Sequence, residues 1–200
     1  MKKIISTIFI LTFFNSLSCL SLYAQTQNYA HSFSFPVDVT KEQGMRTQLI
    51  LNIPKEFRCL QEDQILSSPN YHGILEFIPQ NDDEYKWSKI ITSNSYAGKS
   101  IKAQDLIAFM KNNFLQNATD VKIIEENVSQ FNAIESAIIS MIYTYKGRRE
   151  LIRVKAFSGS FDCASVQYAI VLAKDKTENQ ELETLKLWMD SDSNIKLINF

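Results

Sequence analysis

Glycine is scarce in this chain, five residues in 200, and proline scarcer still at four. So few chain breakers exclude a collagen-like or low-complexity polymer and favour long regular elements. Histidine occurs only at His31 and His72, in separate segments without HxxxH or HExxH spacing. A catalytic zinc therefore lacks its usual ligands, and the sequence predicts no metal and no other cofactor. The GxSxG elbow, the P-loop and the dinucleotide fingerprint are also missing, and with them the cheapest support for hydrolase or nucleotide chemistry. No excess of positive charge is present either: 21 Lys and Arg stand against 22 Asp and Glu. Without a basic field the chain has no means of holding nucleic acid, so none is expected as a partner.

What is present begins with an address. Lys2 and Lys3 precede an apolar run of 11 residues, Ile4 to Phe14, and "SLYAQ" offers Ala24 as a cleavage point. This is the layout of a secretory signal peptide over residues 1–24, leaving one domain over 25–200. The run falls short of the ~20 residues a membrane-spanning helix needs, so no transmembrane anchor is expected in the mature chain. Leu22 departs from the usual small residue near the cut. A rival reading takes "SLSC" as a lipoprotein box ending at Cys19, although Ser16 stands where such a box wants leucine; an acyl chain there would tether the domain to a membrane surface. Cleavage removes Lys2 and Lys3, so 19 basic side chains face 22 acidic ones and the charge falls to near −3. The many Asn, Lys and Ile resemble the usage of an AT-rich bacterial genome, and the predicted location is periplasmic or secreted.

Cysteine is almost as rare as histidine, and after cleavage only Cys59 and Cys163 remain. In an oxidising compartment two thiols predict one disulfide. Closing that loop would restrict the unfolded chain by about 4 to 5 kcal/mol. The alternative is a pair of buried thiols acting as small apolar residues. A catalytic thiol would need a base, and only the two histidines could supply it.

Periodicity divides the mature chain. "HSFSFPVDV" alternates apolar residues at Phe33, Phe35, Val37 and Val39, "RTQLILNIP" reads as a second strand, and Lys55 to His72 as a loop with a helical turn. "ILEFIP" and "YKWSKIITSNSYA" are strands around an acidic turn, the latter with Trp87, Lys89 and Ile91 on one side. From Ser100, a serviceable N-cap, the period becomes helical, with Ala103, Leu106, Ile107, Met110 and Phe114 on one face. The runs "VKIIEENV", "AIESAIISMIYTYKGRRELIRVKAFSGS" and "CASVQYAIVLA" predict an antiparallel meander. In it Ala137, Ile139, Met141, Tyr143 and Tyr145 share a side, and Val166, Tyr168, Ile170 and Leu172 form an apolar row. A second helix opens with a capping box at Thr177 and Gln180 and buries Leu182, Leu185, Trp188 and Met189; "IKLINF" closes the chain as a short strand. The fold class that follows is α+β, an antiparallel β-sheet with two main helices packed on it.

Three constellations could carry recognition. "KGRRELIRVK" gathers Lys146, Arg148, Arg149, Arg153 and Lys155 against Glu150, a cationic patch for a phosphate, an anionic lipid or an acidic partner, or else a solvated hairpin tip. Tyr71, Tyr85, Trp87 and Tyr96 could line an aromatic surface, though core filling explains them equally well. "DSDSN" copies the first ligand positions of a calcium loop, but Ile195 occupies the place of the required glycine, so a polar helix-ending turn is the better reading.

The order "LILNIPKEF", "FIPQ", "WSKIITSNSYA", a helix, a meander ending "VQYAIVLA" and a terminal helix resembles PsbP-like domains over most of the mature chain. That resemblance implies an antiparallel sheet sandwiched by helices (an α/β/α sandwich) and a binding or accessory role; it transfers no site residue. The functional expectation is an exported binding or interaction module for a protein or cell-envelope component, in an accessory or virulence-associated role. The alternative is an exported hydrolase with a spatially assembled carboxylate or cysteine site.

Overall fold

The computed structural model describes residues 29–39, 46–60, 74–96, 101–131, 134–159, 163–174 and 177–199. The proposed signal segment, Cys19, Tyr71, His72 and Ser100 lie outside them. In chain order the elements are β1 (Tyr29–Val39), β2 (Arg46–Pro54), β3 (Phe57–Cys59), β4 (Ile74–Pro79), β5 (Lys89–Tyr96), α1 (Ala103–Asn117), β6 (Thr119–Phe131), β7 (Ile134–Tyr145), β8 (Arg148–Ser158), β9 (Cys163–Val171), α2 (Glu178–Met189) and β10 (Ile195–Asn199).

The strands form a seven-stranded sheet in the order β3-β4-β5-β9-β8-β7-β6 and a three-stranded sheet in the order β1-β2-β10. Every pairing is antiparallel. After β5 the chain uses α1 to reach the far edge, and the meander from β6 to β9 then returns until β9 meets β5. The α+β class expected from the sequence is the class observed. The short closing strand expected at the end of the chain is β10, which joins β2 in the smaller sheet.

Alternation within each strand builds two cores, one on each face of the large sheet. On the first, Phe77, Ile91, Leu151, Val166 and Ile170 meet Leu182, Leu185 and Met189 of α2 and Leu49, Leu51 and Ile53 of the small sheet. On the second, Ala137, Ile139, Met141, Ile152, Val154 and Ala156 meet Ala103, Leu106 and Ile107 of α1. Each large side chain fully buried here contributes about 1.5 to 3 kcal/mol. The strip of alternating apolar residues on β7 therefore faces α1, whereas the apolar row of β9 faces α2.

Local chemistry sets the ends of the helices. Thr177 and Gln180 form the expected reciprocal capping box at the start of α2. The first helix instead begins at Ala103 after Lys102, which contributes no side-chain cap. A carboxylate from another strand takes that role: Glu135 of β7 accepts the amide of Gln104 at 3.1 Å. Trp87 differs from expectation as well. It sits in the turn before β5 and packs on the α1 face, while Ile91 faces α2, because the strand's alternation begins only at Lys89.

The expected bridge between Cys59 and Cys163 is not formed. Register passes from Cys59 through Phe77 and Ile91 to Tyr168, five residues from Cys163 on β9. Three strand spacings and five residues along a strand place the two cysteines roughly 20 Å apart, against the ~4.4 to 6.8 Å a disulfide requires. They also belong to different cores, with the sheet between them. Both are buried, as the thiol alternative expects.

Candidate functional site

Lys146 and Gly147 link β7 to β8 with φ of 49° and 78°. Positive φ at both central residues is the geometry of a tight hairpin turn whose twist suits the strands it joins, and glycine adopts it without strain. Tyr145 then pairs with Arg148 and Tyr143 with Glu150. Counting by two along β8 sorts its charges. Arg148 and Glu150 stand on the α1 face, while Arg149, Arg153 and Lys155 stand on the α2 face, each beside the partners described below.

The five basic residues of the hairpin thus do not make one patch. Arg149 reaches Glu178 at the start of α2, at 2.7 Å. Arg153, only 2% exposed, binds Glu125 at 2.8 Å, Asp190 at 2.9 Å and the Ser140 hydroxyl at 2.8 Å. It ties the end of α2 to the sheet. Lys155 lies over the Phe157 ring at 5.7 Å, and burial pushes its ammonium below the usual lysine range. Lys146 stays exposed at the turn, 5.2 Å over Tyr145. The sequence "DSDSN" resolves in the same region as a helix-ending turn: Asp190 pairs with Arg153, and the Asn194 amide donates to the Trp188 carbonyl at 3.0 Å. Among the described residues, no group of His, Cys, Asp and Glu is arranged to hold a metal.

On the α1 face, Arg148 organises a groove of about 810 Å³ between the hairpin tip, the turn before β5 and the C-terminal end of α1. Its guanidinium lies 4.2 Å over the Trp87 ring and donates to the Trp87 carbonyl at 2.9 Å and, at 3.5 Å, to that of Tyr85. Its Nε approaches Glu150 at 3.4 Å. The other Glu150 oxygen accepts the Tyr143 hydroxyl at 2.6 Å, and Tyr143 stacks on Phe114 of α1 with centroids 4.6 Å apart. Strand, turn and helix are thereby locked together by one chain of contacts.

Burial dominates the electrostatics of this floor. It raises the Glu150 carboxyl above the usual range even though Tyr143 and Arg148 pull it down. Burial likewise raises the Tyr143 hydroxyl, with the Glu150 charge adding to the effect. At the rim Tyr85 is 80% exposed, and hydrogen bonding to Glu84 raises its hydroxyl. Tyr145, also exposed, and Asn113 and Asn117 of α1 complete the walls.

Of the aromatic cluster considered from sequence, Tyr85 and Trp87 reach the groove. Tyr96 pairs with Cys163 at the opposite end of β5. Sequence reasoning missed Phe114, Tyr143 and Glu150 as site residues. Alternation carried through the Lys146–Gly147 turn was the pattern that could have found the last two.

No protein-family model matches the chain, and no curated protein matches it by sequence. Solved structures do. The cyanobacterial PsbP protein of Synechocystis is 13% identical, with a TM-score of 0.45 over 88% of this chain and 97% of that one. LpqN of Mycobacterium tuberculosis, described as involved in cell envelope biogenesis, is 15% identical with a TM-score of 0.47, over 86% of this chain and 99% of that one. The Ran-binding protein Mog1p of Saccharomyces cerevisiae is 9% identical with a TM-score of 0.46, over 82% and 95%. The likeness is one of fold. Among the described residues no helix is long and apolar enough to cross a membrane.

Proposed function

We propose that this chain is an exported bacterial binding module that engages a partner or cell-envelope component through the groove at the β7–β8 tip. The observation that carries this reading is the Arg148 linkage, which holds two walls of an open, aromatic-lined groove in place before any ligand arrives. A preorganised concave surface with exposed rings and a few polar groups is the usual form of a recognition site. The hydrolase alternative has the raised Glu150 carboxyl in its favour. Both oxygens of that carboxyl are nevertheless engaged, one by Tyr143 and one by Arg148. General acid–base work on a glycoside needs a second carboxylate across the scissile bond, and Glu84 at the rim is the one other acid of the groove.

Export is part of the proposal and rests on the N-terminal pattern. Intact mass of the protein recovered from a periplasmic fraction or culture medium should correspond to cleavage near Ala24; an uncut chain confined to the cytosol would refute it, and an acylated Cys19 would replace release by tethering. Copurification from the native envelope, comparing wild type with the Tyr85→Ala/Tyr145→Ala double variant, tests the groove. A companion retained by the first and lost by the second supports it, and equal recovery rejects it.

A further inference from the structure

We propose that the ligand of this groove is a neutral pyranose chain, an inference that rests on the binding reading above. The lining carries Glu84, Glu150, Lys146 and Arg148, two charges of each sign. Glu150 and Arg148 face each other, so no net charge remains to select an ionic ligand. Three of the five Arg148 donors already point at the Trp87 and Tyr85 carbonyls and at Glu150, one from each nitrogen, so a phosphate or carboxylate could take the guanidinium fork only by competing with those contacts.

A peptide strand is a poor fit for a different reason. Recognition of an extended peptide draws its affinity from main-chain hydrogen bonds to an open strand edge. Here β7 is paired on both sides, by β6 and β8, and β8 by β7 and β9, so the groove offers a sheet face and no edge. A purely aliphatic ligand would leave the rim carboxylate and amides facing apolar surface without partners.

What the groove does present is two exposed tyrosines edged with polar groups, Tyr85 and, with the Lys146 ammonium 5.2 Å over one side of its ring, Tyr145. Tyr85 and Tyr145 expose their rings, and their neighbours Glu84, Lys146 and Asn113 offer both acceptors and donors. A pyranose has the complementary form, with apolar C–H groups on its faces and hydroxyls that both donate and accept around its edge. A volume of about 810 Å³ exceeds the need of one ring and lies in the range that accommodates a short oligomer. The locked floor of Tyr143, Glu150 and Arg148 limits the ordering cost of binding to the exposed rim.

The test is a titration of the full mature chain, followed by aromatic-region NMR, with three probes: the tetramers of glucose and of N-acetylglucosamine, and tetra-alanine. The matching monosaccharide forms a further arm. A sugar tetramer should shift the Tyr85, Trp87 and Tyr145 resonances saturably. Affinity should fall about tenfold in Tyr85→Ala and persist in Tyr85→Phe, which keeps the ring. A tetramer that binds more tightly than the monosaccharide supports the chain, and equal affinities, which identify a single-ring ligand, overturn it. If tetra-alanine shifts these resonances and neither sugar does, the pyranose inference falls while the groove survives as a binding site. If neither sugar tetramer shifts them and tetra-alanine is also silent, the pyranose inference falls again, and the copurification experiment decides the groove independently. Sugar binding that Tyr85→Ala and Tyr145→Ala both leave unchanged places the ligand elsewhere and overturns the proposal.

Discussion

The guanidinium of Arg148 lies 4.2 Å above the Trp87 ring while donating to the carbonyl of that same residue at 2.9 Å. One side chain at the start of β8 thereby holds both the ring and the backbone of the turn before β5. The turn is also tied to the rest of the sheet, by Arg58 donating to the Asp82 carbonyl at 3.0 Å and by the Val171 amide donating to the Ser88 carbonyl at 2.9 Å, and Arg148 adds the contact that joins it to the hairpin tip.

Arg148→Ala should therefore destabilise the fold by about 1 to 3 kcal/mol, combining the loss of a cation–π contact with that of hydrogen bonds to backbone. Arg148→Lys keeps the charge but lacks the planar fork that stacks and donates together, and should recover less than half of the loss. Urea denaturation monitored by tryptophan fluorescence measures both. Equal stability of all three proteins would show that the turn is held by something else.

Glu150 imposes a pH dependence of definite sign. Its carboxyl is raised in the folded protein above the ordinary 4.5, so the native state holds its proton more tightly than the unfolded state. The stabilisation this gives is fully present below the unfolded value and is lost as pH rises through the folded value. Between those two values the wild type should lose stability relative to Glu150→Gln, which does not titrate. Denaturation series run in parallel from acid to neutral pH would show this as a widening gap, and parallel curves would contradict it.

Arg153 is buried among partners that are themselves half-exposed, Glu125 and Asp190. Arg153→Ala should cost about 2 to 4 kcal/mol, from lost packing and from acids left without their cation. Arg153→Met, which refills the space without a charge, should recover much of that. Neither should alter ligand binding at the groove, because the residue points to the opposite face of the sheet. A salt-sensitive binding defect in Arg153→Met would revive the single cationic patch.

Glu135→Ala should cost about 1 kcal/mol by exposing an uncapped amide at the start of α1, and Glu135→Gln, which keeps an acceptor oxygen, should cost less. Thermal unfolding of the two variants distinguishes capping from simple loss of charge.

Peptide maps of the oxidised and reduced protein should be identical in the region of Cys59 and Cys163. A linked peptide joining them would require the sheet to come apart, since β4 and β5 stand between β3 and β9.

Much of the fold was legible in the chain before its structure. Period-two runs placed most of the strands, but β3 falls in the Lys55–His72 segment that reads as a loop, because three residues are too few to show a period; the change to helical period located α1 within a few residues. The Thr177–Gln180 capping box marked the start of α2 because all of its partners lie within one turn. The calcium-like "DSDSN" was correctly read as a turn, since the required glycine is absent and that deficit is local. The site was far less legible. Its floor joins residues 87, 114, 143, 148 and 150, which come from four separate stretches of chain and meet only after the strands pair and α1 docks.

By itself the sequence determined what depends on neighbours along the chain: element type, the apolar faces, one helix cap, the tight Lys146–Gly147 turn and the absence of local metal or nucleotide motifs. These follow from backbone sterics and side-chain period, which act over a few residues. Only the tertiary structure decided which face each charge would occupy, and so divided a run of cations that looks continuous on paper. Strand order did the same for the cysteines: with two strands between them and opposite cores around them, their pairing was never a question that counting thiols could answer.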